Sequence, residues 1–515
     1  MKFWRDIKTY ISPKLIFFKY FWRDIKIYIA PKLIFIFMET VIGRAEEKIL
    51  LKKIETSGEA ELLAVYGRRR IGKTFLIRNG FAKKLAFEFT GTHNALLNQE
   101  LEAFALALTN ASGGLKLAKP DSWIQAFLTL TQYLTPLIKK ERQIIFFDEF
   151  PWINSPRSGF LPAFTNFWNS WASKERNLVV VICGSAASWM IKKVINNRGG
   201  LHNRVTRRIR LLPFTIAETA DYLKSRKVKL DQYQILQIYM AMGGIPQYLK
   251  EIEPGTSAAQ IIDKLCFTKD GLLNDEFKNL YYSLFDSADN HISVIRALAQ
   301  KGKGLTRNEI IDACKLTSGG YATQLLSELS ESGFITPYLP FGKTSKDSIY
   351  KLTDEYSLFY IKFIENSRAK GPGTWLMFST GNSWKSWSGF AFESICMKHI
   401  DQIKAAIGIK NVYSEVSVWR HQPKTANDQG TQIDMLIDRA DRCINICEMK
   451  FAAGDFEITK SYAKELEAKL KIFQAQTKTK KSLFLTMITT YGVKNINSYP
   501  AIVQQEVDMD VLFTL

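Results

Sequence analysis

Cysteine is scarce in this chain, with six residues in 515, at positions 183, 266, 314, 396, 443 and 447. No pair has zinc-knuckle spacing, and Cys443 and Cys447 sit in an apolar run with no partner His or Cys. The sparse, unpaired pattern argues against a disulfide scaffold and suits a reduced cytoplasmic compartment. An apolar run long enough to cross a membrane is missing from the N-terminal stretch, where Pro31 and Lys32 interrupt it, and no small-residue cleavage site follows. No integral membrane span is therefore expected. Negative charge is in deficit: 50 Asp and Glu against 70 Lys and Arg leave a net charge of +20. That balance points to a polyanion partner such as nucleic acid. The remaining composition, 46% hydrophobic and 23% charged, is that of a globular protein. A chain this long exceeds one hydrophobic core, so three or four domains are expected.

The segment FWRDIKTYISPKLIF at 3–17 recurs almost unchanged at 21–35 as FWRDIKIYIAPKLIF. Two copies cannot stack into a solenoid. Residues 1–37 are read as an extension outside the fold, with the first domain opening at Met38; a peripheral membrane anchor is the other reading.

The strongest motif is Gly67-Arg68-Arg69-Arg70-Ile71-Gly72-Lys73-Thr74, which fits G-x-x-x-x-G-K-[ST]. An apolar run at 62–66 precedes it, and a helix start at Phe75 follows it. Such a loop curls so that its N–H groups and the helix N-terminus face phosphate. Lys73 is expected to reach the β/γ-phosphates of ATP and Thr74 to hold Mg²⁺. A second apolar run, 143–147, ends in Asp148-Glu149. Asp148 is expected to bind Mg²⁺ through water and Glu149 to polarise the attacking water. A third run, 178–183, ends in Gly184-Ser185, and Ser185 is the candidate γ-phosphate sensor. Arg198, Arg204, Arg207, Arg208 and Arg210 form a basic cluster that offers either an arginine finger or a solvated face. Strands alternating with helices predict an α/β layer with a parallel sheet.

These motifs resemble those of the prokaryotic P-loop ATPases of the AAA+/STAND type. The resemblance rests on Val41-Ile42-Gly43-Arg44, the phosphate loop, the Phe-Phe-Asp-Glu-Phe run, Cys183-Gly184-Ser185 and Gly243-Gly244-Ile245-Pro246. It implies an ATPase core over 38–212 and a helical lid over 213–288. It also implies that Gly43 and Arg44 lie near the adenine and that Pro246 belongs to the lid. The residues alone give Gly243-Gly244 only as a helix stop before Pro246.

Residues 289–352 read as three helices and a hairpin, a winged-helix pattern of the kind used by DNA readers. Thr306-Arg307-Asn308-Glu309 is a capping box that opens the second helix. The third helix exposes Thr323, Gln324, Ser327, Glu328 and Glu331, which is no basic stripe. DNA contact and a structural or partner-binding role both stay open. Residues 353–385 read as a connecting segment.

The last region, 386–515, carries a second set of chemistry-bearing residues. Glu393 lies on an amphipathic helix, Asp434 near the start of a strand, and Glu448 and Lys450 on the next strand. Residues two apart on a strand share a face, so Glu448 and Lys450 point the same way. The three acids could hold Mg²⁺, with Lys450 steadying charge or positioning water. This ordered set resembles the PD-(D/E)XK nuclease superfamily, with Ile433 in place of its proline. The resemblance implies a restriction-endonuclease-like α/β domain, with Tyr462 and Lys464 of the following helix near a phosphate backbone.

The expected protein binds and hydrolyses ATP with Mg²⁺ and controls a DNA-binding, DNA-cleaving C-terminal domain. The alternatives are a STAND-type signalling ATPase or a nucleotide-gated DNA-binding regulator whose nuclease-like domain is inactive. Assembly as a homo-oligomer stays open.

Overall fold

Runs of four to seven residues, too short for helices, become the strands of the first sheet, most of them apolar and the edge one basic. The first five are β1 (Glu61–Tyr66), β2 (Leu85–Thr90), β3 (Gln143–Asp148), β4 (Leu178–Gly184) and β5 (Arg207–Arg210). They form one parallel sheet in the order β2-β3-β4-β1-β5. Every residue of β3 and β4 is buried. Alternation along β1 divides the two cores. Leu63 and Val65 face one, and Leu62 and Ala64 face an aromatic-rich one with Phe104, Trp123, Phe127 and Phe164. The structure is a computed structural model that describes residues 41–514, apart from 115–117, 197–198, 286, 318, 369–370, 424–429, 495, 497–498 and 500. The N-terminal repeat and Arg198 lie outside the described residues.

Beyond β5 come the helices Ile216–Ser225, Gln232–Met242, Ala258–Phe267 and Glu276–Tyr282. Gly243 and Gly244 join them for a steric reason. Gly243 has φ 66°, and a Cβ on Gly244 would lie 2.1 Å from the Phe214 carbonyl oxygen. The helices Ala288–Gln300, Arg307–Cys314 and Gly320–Glu331 follow, with Thr306 and Glu309 closing the capping box. They carry a three-stranded antiparallel sheet of β6 (Leu305–Thr306), β7 (Ile335–Tyr338) and β8 (Ile349–Leu352), with β8 in the middle. The two-residue β6 was not expected from the sequence, because it is too short to show a period.

The C-terminal sheet has the strands β9 (Ser414–His421), β10 (Thr431–Arg439), β11 (Cys443–Lys450), β12 (Ser482–Thr489) and β13 (Val503–Val507), in the order β13-β12-β11-β10-β9. β9, β10 and β11 are antiparallel neighbours; β11, β12 and β13 run parallel. The crossover helix Lys460–Thr477 packs Leu466 and Phe473 on one face, with Leu436 and Ile446. The helix Asn382–Lys398 packs Phe392 and Ile395 on the other, with Met435 and Met449. That second face is continuous with the core running through the helices after β5 and the middle module to β1. Among the described residues, no helix is long and apolar enough to cross a membrane.

Candidate functional site

β1 lies beside β4, and β4 beside β3, so the carboxyl ends of all three open on one edge. The loop after β1 needs its glycines. Gly67 has φ 147°, and a Cβ there would sit 2.2 Å from the Leu211 carbonyl oxygen. Gly72 has φ 88° and leads into the helix Lys73–Gly80. Lys73 is buried, and its Nζ donates to the carbonyls of Gly67 at 2.9 Å and Arg68 at 2.8 Å. The Thr74 hydroxyl donates to Asp148 at 2.6 Å. Glu149, in the left-handed region at φ 45°, accepts from the Ser185 hydroxyl at 2.7 Å and from the Ser185 N–H at 3.2 Å. Both expected acids and the expected sensor therefore meet at the mouth of the loop.

A cleft of about 1250 Å³ opens there, lined by Arg44, Arg69, Arg70, Lys73, Glu149 and Pro246 among others. Thr74 and the half-exposed ring of Phe75 also line it. Arg44 closes one end: its guanidinium lies 4.5 Å from the Phe214 ring centre, and its N–H donates to Glu218 at 2.6 Å. Burial lowers the Arg44 pKa, an effect opposed by the Glu218 charge. Gly43, at φ 64°, leaves the space that Glu218 fills, since a Cβ there would meet its Oε1 at 2.7 Å. Arg70 reaches across to Glu276 at 2.7 Å, and Tyr248 donates to the same carboxylate at 2.9 Å. The helix Glu276–Tyr282 is thus fastened to the phosphate loop itself.

Two expectations change here. Arg68, counted with the nucleotide-binding residues, turns its side chain away from the cleft. It is 2% exposed, paired with Asp354, and lies 4.8 Å from the Phe334 ring centre. Ile71 packs into the core and also lines the cleft. Of the basic cluster, Arg207 faces Glu61 at 3.8 Å, and Arg210 donates to the Ser330 carbonyl at 2.8 Å, at the end of the helix Gly320–Glu331. Arg204, Arg207, Arg208 and Arg210 do not line the cleft, whereas Arg226, Lys227 and Lys250 do. Those three lie among the helices after β5, and no motif in the sequence marked them.

Residues 43–252 match the family model of an ATPase domain found predominantly in Archaea. An uncharacterized protein of Methanocaldococcus jannaschii, MJECL04, is 23% identical over 398 residues, covering 77% of this chain and 83% of that protein. Among solved structures, the Walker-type ATPase PABY2304 of Pyrococcus abyssi is similar at 17% identity, covering 62% of this chain and 96% of that one, with a TM-score of 0.46. The ORC2 protein of Aeropyrum pernix, solved as ADPNP and ADP complexes, is similar at 15% identity, covering 67% and 98%, with a TM-score of 0.40. The ATPase-type assignment rests on the family match together with the loop, strand-end and sheet geometry above. It ends at residue 252, short of the second cluster of charged residues.

In that cluster, β10 and β9 slip register between Ile433 and Leu436, a bulge that frames Asp434. Glu393 comes from the helix Asn382–Lys398, and Glu448 and Lys450 from β11. Lys450 lies 3.0 Å from Glu448, as a shared strand face requires. Tyr462 donates to Glu448 at 2.8 Å, and Lys469 of the same helix also binds that carboxylate. Burial pushes the Glu448 pKa up, but the Lys469 and Lys450 charges outweigh it and hold the carboxyl below its usual range. Glu393 goes the other way: burial first, then the Asp434 charge, pushes it up to about 8. Asp434 accepts from Gln432 and lies 3.7 Å from Lys351 of β8. Lys351 and Lys469 are members of this cluster that the sequence reading missed, because each is brought in by tertiary packing. Lys464, expected near a phosphate backbone, stands on the exposed side of its helix.

Proposed function

We propose that this protein is an ATP-driven switch: it binds and hydrolyses ATP, and its nucleotide state sets the position of a C-terminal module that contacts DNA in the cytoplasm. Lys73 would take the β/γ-phosphates, with Gly43, Arg44, Gly72, Phe75 and Pro246 enclosing the nucleotide. The adjacent Thr74 hydroxyl and Asp148 carboxylate are hard oxygen donors of the type Mg²⁺ takes. Bound there, Mg²⁺ would neutralise phosphate charge. Glu149, held by Ser185, would orient the attacking water.

The observation that carries the coupling is the Arg68–Asp354 pair. One partner is a phosphate-loop residue, and the other is 286 positions away and almost fully buried. Asp354 also accepts from the Ser357 N–H at 2.9 Å and the Ser357 hydroxyl at 2.6 Å, fixing the helix Glu355–Phe359. The next residue, Glu355, binds Lys398 at 2.6 Å, on the helix that carries Glu393. A shift in the loop thus has a hydrogen-bonded route to the C-terminal cluster.

Within this reading, 38–212 is the ATPase core, 213–288 the lid, 289–352 a winged helix, 353–385 the connector and 386–515 a PD-(D/E)XK-like domain. The net charge of +20 supports a nucleic-acid partner. One observation favours the variant in which the last domain binds DNA without cutting it: lysines occupy Asp434 and Glu448. ATP turnover and cleavage of plasmid, linear and single-stranded DNA, measured for the wild type beside Lys73→Ala and Glu448→Ala, separate the two. A switch with a live nuclease loses cleavage in both variants and ATP hydrolysis only in Lys73→Ala. A binding-only module shows no cleavage in any sample, and absence of ATP turnover in the wild type would sink the reading.

A further inference from the structure

Three carboxylates converging from a helix and two strands are a donor set for a divalent cation. Yet among the described residues no group of three His, Cys, Asp or Glu side chains is set to hold a metal ion. The donor set and its arrangement disagree, and the reason is visible. Amines of the chain already neutralise the acids, Lys450 and Lys469 at Glu448 and Lys351 at Asp434.

Lys351 differs from the other two because it comes from outside the domain. It stands on β8, at the centre of the middle sheet, and its side chain is 16% exposed. With Glu393, Asp434 and Arg420 it lines a cavity of about 580 Å³ between the two modules. The connection between β7 and β8 is docked against the C-terminal sheet. Pro340 pairs with Val418 of the edge strand β9; the Phe341 N–H donates to the Val418 carbonyl at 2.8 Å, and the Val418 N–H to the Leu339 carbonyl at 3.3 Å. The Phe341 ring sits 5.3 Å from that of Phe473. At its other end β8 runs directly into Thr353 and Asp354. The Thr353 N–H is tied to the Phe334 carbonyl at 2.9 Å, and Asp354 holds Arg68 of the phosphate loop. Two residues therefore separate the counter-ion of one site from the partner of the other.

We propose that Lys351 is a displaceable counter-ion that keeps the Asp434 side of this cluster closed to divalent cations, and that release of the 339–341 segment from β9 opens it. The inference rests on reading the cluster as a cation site. An ammonium on a flexible four-carbon stem suits the role, because it holds a carboxylate as a point charge without the bidentate grip of a guanidinium. A cation entering beside Lys351 would meet a like charge within a few ångströms; withdrawing the lysine removes that repulsion.

The test is Mn²⁺ titration of the full chain by calorimetry, in an Asp148→Asn background that removes the carboxylate expected at the nucleotide-site metal. Lys351→Met should raise Mn²⁺ affinity at least about tenfold, Lys351→Arg should not, and adding Asp434→Asn to Lys351→Met should abolish the gain. Phe341→Ala, which loosens the docked segment without touching the cluster, should raise affinity in the same direction. Equal Mn²⁺ affinity with and without Lys351 overturns the counter-ion role alone. Absence of Mn²⁺ binding even in Lys351→Met overturns the cation-site reading along with it. Circular dichroism and the thermal midpoint of each variant check that the fold is kept.

Discussion

The nucleotide cleft and the C-terminal cluster are built from similar charged groups put to opposite arrangements. In the cleft, neutral groups hold the charged ones: carbonyls of Gly67 and Arg68 steady Lys73, and the hydroxyls of Thr74 and Ser185 restrain Asp148 and Glu149. The site opens on a cleft of about 1250 Å³. In the cluster, side chains hold side chains: Lys450, Lys469 and Tyr462 on Glu448, and Lys351 on Asp434. The difference teaches that a local loop can be ready for its ligand by itself. A site assembled from four elements takes its state from how those elements are docked.

The largest expected effect comes from cutting the joint between the two. Asp354→Ala leaves Arg68 charged in a pocket where its Nε and Nη2 already lack partners. Breaking a buried pair by removing one member costs about 3–5 kcal/mol. The urea midpoint should fall accordingly, whereas the double change Arg68→Met with Asp354→Leu should recover most of the loss. If that double variant is stable but its ATP turnover no longer responds to DNA, the pair is a coupling element; if the response survives, the pair serves only the core.

Next in size is Lys73→Ala. Removing a preorganised charge aimed at phosphate should lower ATP turnover by about 100- to 1000-fold. The thermal midpoint should change little, because the lysine's partners are carbonyls within its own loop. The matching change in the cluster, Lys450→Ala, should leave ATP turnover near wild type, since Lys469 still neutralises Glu448. A parallel loss of turnover in both variants would break the contrast between the sites.

These differences also mark what could be read from the sequence. The phosphate loop, Asp148-Glu149 and Ser185 were legible because each sits at the end of a short apolar run, and strand ends in a parallel sheet share one edge. The pairing of Glu448 with Lys450 was legible from the two-residue strand period. The direction of the Arg68 side chain was not legible, because a motif fixes the loop's main chain while each side chain turns to what packs beside it, here Phe334 and Asp354. Lys351, Lys469 and the cleft-lining cations Arg226, Lys227 and Lys250 have no local signature, since what they face lies on other elements. Gly243-Gly244 gave a helix stop; that the pair also lets the Phe214 main chain approach became visible only in the packed structure.

A third joint ties the regions together, and it responds to pH. His399, at the end of the helix bearing Glu393, is 2% exposed. Its Nε2 accepts from the Ile216 N–H at 3.2 Å, at the start of the helix Ile216–Ser225, and its Nδ1 faces the Ile395 carbonyl at 2.8 Å. An acceptor on one nitrogen and a donor on the other is the pattern of a neutral ring. Burial lowers its pKa from 6.5 to about 4. The unfolded chain therefore binds a proton near pH 6.5 that the folded chain refuses until about pH 4. The stability this group contributes is present above pH 6.5 and is lost as the pH falls through that window. Between pH 7 and pH 5 the loss should be about 2 kcal/mol. A second proton on the ring would also remove the acceptor that Ile216 uses, so the contact between the helices Ile216–Ser225 and Asn382–Lys398 should fail first. Urea unfolding at pH 7 and pH 5 measures the effect, with His399→Gln as the comparison: its amide keeps a donor and an acceptor but takes up no proton. The wild type should lose stability over this range and the variant should lose about 2 kcal/mol less. An identical pH response in the two proteins would rule out His399 as the titrating joint.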